Sequence, residues 1–296
     1  MGRVIAVGIA VMDKIFAVQD IPAEATKVFA RSYSEIGGGP AATASVAIAR
    51  LGGAAELWAR VGEDAVGRRI VEELHEWGVV PRVRAVPGAH SNVSGVLVDS
   101  RGERLIVSYT DPQLDPDPSW LPLERLAGAG AVLADVRWPR ASEAVLRGAR
   151  ELRIPTVLDA DLAPDDVART LLPLADYAVF SRPALVRLGG TDDTAEALKR
   201  VAALASGVVG VTVAEEGFWW LEGSSVRREP GFAVEVVDTL GAGDVFHGAF
   251  ALAVAEGCGI RDAARFSNAA SALKCTRPGG RAGIPARAEV EALLRA

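Results

Sequence analysis

Short, unbroken apolar runs separated by longer amphipathic stretches set the strongest limit on how this chain folds. The runs RVIAVGIAV, AVLADV, IPTVLDAD, YAVFS and GVVGVTVA alternate with helix-patterned segments such as ASEAVLRGARELR and TAEALKRVAALAS. A strand that is apolar at every position has both faces buried, and parallel strands joined by crossover helices satisfy that requirement. The expectation is an α/β chain with a mostly parallel central sheet and helices on both faces. Several runs end in polar residues, Asp135, Asp159, Asp161 and Ser181. Ligands of such sheets bind beyond the carboxyl ends of the strands, where these side chains should stand.

Two stretches break the alternation. Residues 14–36 are strand-like but polar-interrupted, and VSGVLVDSRGERLIVSY (93–109) reads as a hairpin around a Ser-Arg-Gly-Glu turn. Neither has a helix partner, so both are expected in a small separate sheet over the mouth of the main one, formed by insertions at about 14–36 and 93–112. That sheet is either a lid that excludes water during chemistry or a pair of edge hairpins with no moving part. The pattern fits both.

Bulk properties exclude several functions. The formal charge is -6 with acids and bases mixed along 296 residues, so no basic face is offered to nucleic acid. No segment has the roughly 18 uninterrupted apolar residues of a membrane span. Cys258 and Cys275 have neither disulfide-framework nor metal-site spacing and suit a reducing compartment. The expected location is the cytoplasm.

The stretch VVDTLGAGDVFHGAF (236–250) carries chemistry. FAVEVVDT reads as a strand ending at Asp238, and VFHGAFALAVAEG as a buried helix. Gly241, Ala242 and Gly243 then form the turn between them, with backbone N–H groups directed outward at a helix N-terminus, a site for a phosphate or a developing anion. Asp244, in the first helical turn, is placed to take a proton from an incoming hydroxyl. An anion hole beside a base is a phosphoryl-transfer arrangement. The plainer alternative makes Asp244 only a favourable acid at a helix start. No GxxxxGK[ST] motif is present. A second glycine cluster, GGGPAATASVAIARLGG (37–53), opens another small-residue helix.

These two ordered glycine signatures, the first continuing into ARVGEDAVG, are far more specific together than apart. The chain resembles, essentially end to end, the ribokinase-like carbohydrate kinases of the PfkB family. The resemblance implies one ribokinase-like kinase domain over 1–296, ATP and Mg2+ as cofactors, and a sugar as substrate. It implies that Asp244 is the catalytic base and that Gly241, Ala242 and Gly243 form the anion hole. Asp13, placed at the end of the first strand, resembles the family's sugar-hydroxyl ligand, and Gly38 and Gly39 line the sugar site. Thr212 and Gly217, in VTVAEEG, resemble the nucleotide strand and loop. Asn268 lies where the family approaches adenine. TRPGGRAGIP, with Gly279, resembles the loop that closes on the nucleotide, although its arginine could also be solvated surface. Relatives of this kind often dimerise through the lid.

The chain departs from the family at two points. Thr43 stands where many relatives have asparagine, which alters that sugar contact. The family's Asn-x-x-Glu aligns with Ser181-Arg-Pro-Ala184, and Ala184 cannot orient a metal-bound water, so the magnesium ligands are unassigned, with Asp161 one candidate. These departures, with GIAVMDKIF, LADVRW and ALKCTRPGGRAGIP, most closely resemble sulfofructose kinases, which phosphorylate the 1-hydroxyl of 6-deoxy-6-sulfofructose. A sulfonate calls for cationic donors. The resemblance assigns that role to Lys27 and Arg137, with Ser108 in place of an asparagine of the same pocket. Kinases for 2-keto-3-deoxygluconate, fructose or a fructose phosphate are the nearest alternatives, since Lys and Arg also bind carboxylate and phosphate. A catalytically silent sugar- or nucleotide-binding regulator is the rival from another class. His247, Trp219 and Trp220 read as packing residues.

Overall fold

The computed structural model describes residues 2–296. Its first strands are β1 (Arg3–Val7), β2 (Val11–Ala17), β3 (Ser32–Gly38), β4 (Ala54–Gly62), β5 (Val80–Val86), β6 (Val93–Val98) and β7 (Arg104–Tyr109). After these come β8 (Ala131–Asp135), β9 (Thr156–Ala160), β10 (Tyr177–Ser181), β11 (Val208–Thr212), β12 (Phe218–Glu222) and β13 (Ser225–Glu229). Nine of them form one sheet in the order β13-β12-β11-β10-β9-β8-β1-β4-β5. The strands from β11 to β5 in that order run parallel, and the β12–β13 hairpin adds an antiparallel edge.

Successive side chains of a strand point to opposite faces, and the buried residues sort accordingly. Val4 and Ala6 of β1 join one core with α1 (Pro40–Arg50), α2 (Ala65–Glu76), α7 (Ala242–Ala255), α8 (Ile260–Cys275) and α9 (Arg287–Arg295). Ile5 and Val7 join the other, with α3 (Pro139–Glu151), α4 (Asp165–Leu171), α5 (Arg182–Gly189) and α6 (Thr194–Ala202). Helices on both faces of the sheet complete a three-layer α/β fold. Helix α7 is buried from Val245 to Val254, as its all-round apolar sequence requires. It packs on α1 at Gly248, where an added Cβ would stand 2.4 Å from the Ala44 carbonyl oxygen. Among the described residues no helix is long and apolar enough to cross a membrane.

The remaining four strands form the small separate sheet, in the order β3-β2-β6-β7. Strand β2 is antiparallel to β3 and parallel to β6, and β6–β7 is the hairpin expected from 93–109. Two local expectations need correction. Asp13 does not end the first strand; β1 stops at Val7, and Asp13 lies inside β2 of the small sheet, opposite Ser94 and Ile36. FAVEVVDT is not a strand. The β12–β13 hairpin already occupies the edge of the large sheet, so residues 230–239 have no ladder to join. That segment instead crosses the end of α8, where the Val237 and Asp238 amides donate to the Cys275 carbonyl at 2.8 and 3.1 Å.

Candidate active site

The start of α7 stands between two cavities. Gly241 is its N-cap, with a left-handed φ of 75° that suits glycine, and no side chain caps the helix. On one side Gly241 and Asp244 line a small cavity of about 40 Å³, together with Asp13, Gly38, Gly39 and Thr43. On the other side Ala242 and Gly243 line a cavity of about 570 Å³, with Thr212, Gly217 and Asn268. Residues from both ends of the chain therefore meet on the two sides of one turn.

The geometry refines the anion hole. The Ala242 amide is committed, donating to the Thr239 carbonyl at 3.2 Å. The Gly241 and Gly243 amides have no partner among the described residues. A Cβ on Gly243 would meet nothing within 4 Å, so open space lies beside it, while Gly241 sits against the Thr43 methyl and Asp244 Oδ2. Two of the three expected donors are free.

Asp244 is half-buried: it opens on the small cavity while protein encloses the rest. That enclosure pushes its carboxyl up to about 8, the Asp159 charge adds to the rise, and His247 and Arg281 oppose it. His247 is buried, with Nε2 3.2 Å from the Val179 carbonyl and Nδ1 3.4 Å from Asp159 Oδ2, in keeping with a packed histidine. Asp135, at the end of β8, is also buried. Its carboxylate accepts from the amides of Ile9 at 2.9 Å, Arg137 at 2.8 Å and Ala41 at 3.3 Å, which fixes the start of α1 against β1.

The glycines of 37–39 make room for side chains. A Cβ on Gly38 would stand 2.2 Å from Asp13 Oδ2, and one on Gly37 would meet the Arg281 guanidinium at 1.9 Å. Asp13 is itself pushed up by burial, against a hydrogen bond from Ser94 and the charge of Arg281. Ser94 lies opposite Ser108, their hydroxyl oxygens 3.3 Å apart, so Asp13, Ser94 and Ser108 form a polar row across three strands of the small sheet.

Four expected site residues lie outside both cavities. Lys27 is exposed in the loop between β2 and β3, and Ser108 is exposed on β7. Arg137 stands at the carboxyl end of β8 with Nη2 donating to Asp161 Oδ2 at 2.9 Å. Gly279 donates its amide to Asp238 Oδ2 at 3.1 Å. Asn268 lines the larger cavity, but its Nδ2 donates to the Glu229 and Pro230 carbonyls at 2.9 and 3.0 Å, which holds the cavity wall. Asp161 also accepts from the Ser181 hydroxyl at 2.9 Å. Among the described residues no three His, Cys, Asp or Glu side chains form a cluster able to hold a metal.

Two residues of the site escaped the sequence reading. Arg281, in the closing loop, is 2 % exposed and lines the small cavity beside Asp13 and Asp244. Its partner is Glu73 of α2, 3.2 Å away. No spacing rule connects two residues so far apart in sequence. The only signal was an arginine among glycines.

Comparison with known proteins bears on the whole chain. The sequence profile described as "pfkB family carbohydrate kinase" matches residues 1–287. The ribokinase of Bacillus subtilis is 30% identical over 303 residues, covering 99% of this chain and 100% of its own. A crystal structure from Agrobacterium tumefaciens, provisionally described as a ribokinase, superposes with a TM-score of 0.95 at 42% identity, covering 99% of this chain and 97% of that one. The ribokinase of Arabidopsis thaliana complexed with ribose and ATP gives a TM-score of 0.88 at 27% identity, covering 100% and 99%.

Proposed function

The chain belongs to the PfkB family of carbohydrate kinases, ATP-dependent phosphotransferases, and within that family we propose that it phosphorylates the 1-hydroxyl of 6-deoxy-6-sulfofructose with Asp244 as base. The observation that carries the mechanism is the position of the α7 start between the two cavities. The larger cavity lies within the range of nucleotide-sized sites, and the smaller takes the reacting end of the sugar. Asp244 accepts the hydroxyl proton as that oxygen forms its bond to the γ-phosphorus and the bond to ADP breaks. The free Gly241 and Gly243 amides hold the charge on the transferring group. Magnesium carried by the nucleotide would neutralise phosphate charge, with Asp161 the candidate residue to hold it. Asp13 orients the sugar by accepting from a hydroxyl. A cavity of about 40 Å³ holds little more than a water, so sugar entry moves the small sheet outward, as a lid does.

The sulfonate reading is supported by Arg137. Its exposed guanidinium stands at the carboxyl end of β8 with one carboxylate partner, Asp161, that an anionic ligand can compete with. In this reading Lys27, in the β2–β3 loop, and Ser108, on β7, supply the remaining contacts to the sulfonate, although both lie outside the two cavities. A second reading, a neutral sugar such as ribose or fructose, is favoured by the existing Arg137–Asp161 pair and by Lys27 lying outside both cavities. ATP consumption with sulfofructose, fructose, fructose 6-phosphate, 2-keto-3-deoxygluconate and ribose separates them. Sulfofructose is expected to give the highest kcat/KM. Arg137→Ala is expected to raise KM at least tenfold for sulfofructose and less than threefold for fructose, the scale of a lost charge-assisted contact. Equal effects on both sugars remove the sulfonate pocket and leave the kinase.

The lid also fits an assembly. Val107 on β7 is 66% exposed, and the exposed Leu105 and Tyr33 share its face of the small sheet, with Phe29 81% exposed in the loop before β3. We assign this apolar surface to a second copy of the chain. Sedimentation is expected to show a dimer that Val107→Asp dissociates; a monomeric parent rules the assignment out.

A further inference from the structure

The mechanism just given leaves the buried charge of Arg281 without a role. Arg281 lies in the 3-10 turn Gly280–Gly283, almost wholly enclosed. Its Nη1 donates to Glu73 Oε1 at 3.2 Å and its Nη2 to the Gly38 carbonyl at 2.9 Å, while the equally buried Nε has no partner. The Gly37 amide donates to the same Glu73 oxygen at 3.1 Å. Gly37 has no side chain because the guanidinium fills that space. The arginine thus ties the closing loop to α2 and to the glycine strand of the lid, and it lines the cavity that holds Asp13 and Asp244.

A buried ion pair is a poor way to gain stability, because desolvation offsets most of the attraction. An apolar strut would join the same three elements at less cost. What an apolar strut lacks is charge. The residues lining the small cavity carry two carboxylates, Asp13 and Asp244, and a single cation, Arg281.

We propose that Arg281 is a positioning residue of the phosphoryl-transfer site, whose guanidinium favours the ionised forms of Asp13 and Asp244 that accept from the sugar hydroxyls. The groups acting on Asp244 are Asp159 and Asp161 at the end of β9, His247 on α7, and Arg281. Those acting on Asp13 are the Ser94 hydroxyl on β6, Glu73 on α2, and Arg281. Asp159 and Asp161 oppose ionisation of Asp244, and Glu73 opposes that of Asp13. Of these groups, Arg281 alone favours ionisation of both. A carboxyl kept neutral by its neighbours donates a hydrogen bond and removes no proton.

The inference rests on Asp244 being the base, and the experiment separates the two. The pH dependence of kcat/KM, which reports the free enzyme's essential groups, is measured for the parent, Arg281→Lys, Arg281→Met and the double variant Glu73→Gln/Arg281→Met. The double variant leaves no unpaired charge behind and so guards against simple misfolding, which circular dichroism checks. Arg281→Met and the double variant are expected to move the acid limb upward by about one pH unit, with roughly a tenfold loss at pH 7 that narrows to within about threefold on the alkaline plateau. Arg281→Lys keeps the parent limb. An equal loss at every pH, an unmoved limb, or Arg281→Lys behaving as Arg281→Met overturns the proposal. Asp244→Ala that still turns over sugar overturns the assignment of the base instead.

Discussion

Asp244→Asn is expected to abolish sugar phosphorylation and, at the same time, to make the protein more stable. Removing the base forfeits proton transfer in the transition state, a loss of about 10²–10⁴ in kcat, with ATP binding retained because the larger cavity is untouched. The stability gain follows from linkage. The carboxyl of Asp244 is pushed up to about 8 by its enclosure and by Asp159, whereas in the unfolded chain it titrates near 3.8. A group whose folded pKa is raised contributes stability that is complete below the unfolded value and is lost as pH rises through the folded one. At pH 7–8 the parent therefore carries a penalty that asparagine, neutral at every pH, does not. The expected gain is ~1–3 kcal/mol, read as a higher unfolding temperature at pH 8 and a smaller difference at pH 5. Turnover within tenfold of the parent would falsify the role of Asp244 as base. A melting difference that does not grow with pH contradicts the view that burial holds the carboxyl up.

That opposition between function and stability explains which parts of the site were legible in the sequence. The strand–helix alternation was readable because period and burial are local. RVIAV and YAVFS announce strands buried on both faces, and the structure places them as β1 and β10. The GAGD turn was readable because two glycines before a buried helix are locally unfavourable, and a locally unfavourable choice points to a site. FAVEVVDT was misread because alternation shows only that a segment is extended; whether it finds a ladder depends on which edge is free, and β13 had taken it. Arg281 was invisible for a related reason. An arginine reads as surface until its partner is known, and Glu73 lies 208 residues away. Lys27 and Arg137 mark the opposite limit: a resemblance supplied their role, and neither lines a cavity in this structure.

Lys274→Met is expected to cost about 2–4 kcal/mol of stability and most of the activity, although Lys274 touches neither cavity. The side chain is fully buried near the end of α8, where a lysine on a helix pattern reads as solvated surface. Its Nζ donates to the Asp238 carbonyl at 2.8 Å and lies 3.2 Å from Asp238 Oδ2. The same carboxylate accepts from the amides of Leu240, Gly279 and Gly280 and from Arg104 of the lid hairpin, the last at 2.6 Å. Asp238 thus ties together the segment leading to Gly241, the loop before Arg281 and strand β7. Burial alone would raise its carboxyl, but the Leu240 amide and the Lys274 charge bring it below its ordinary value. With the folded pKa depressed, the stabilisation is present at neutral pH and disappears as pH falls through the acidic range. Methionine fills the space but leaves the part-buried Asp238 carbonyl without this donor and the carboxylate with one cation instead of two. The segment that positions the Gly241 and Gly243 amides then loosens, so kcat should fall more than KM for the sugar rises. Urea unfolding at pH 7 and steady-state kinetics check both halves. Stability within 0.5 kcal/mol of the parent, the scale of an ordinary surface substitution, would show that the amine carries no structural charge. A loss of stability with kcat intact would show that the turn before α7 keeps its geometry without Lys274.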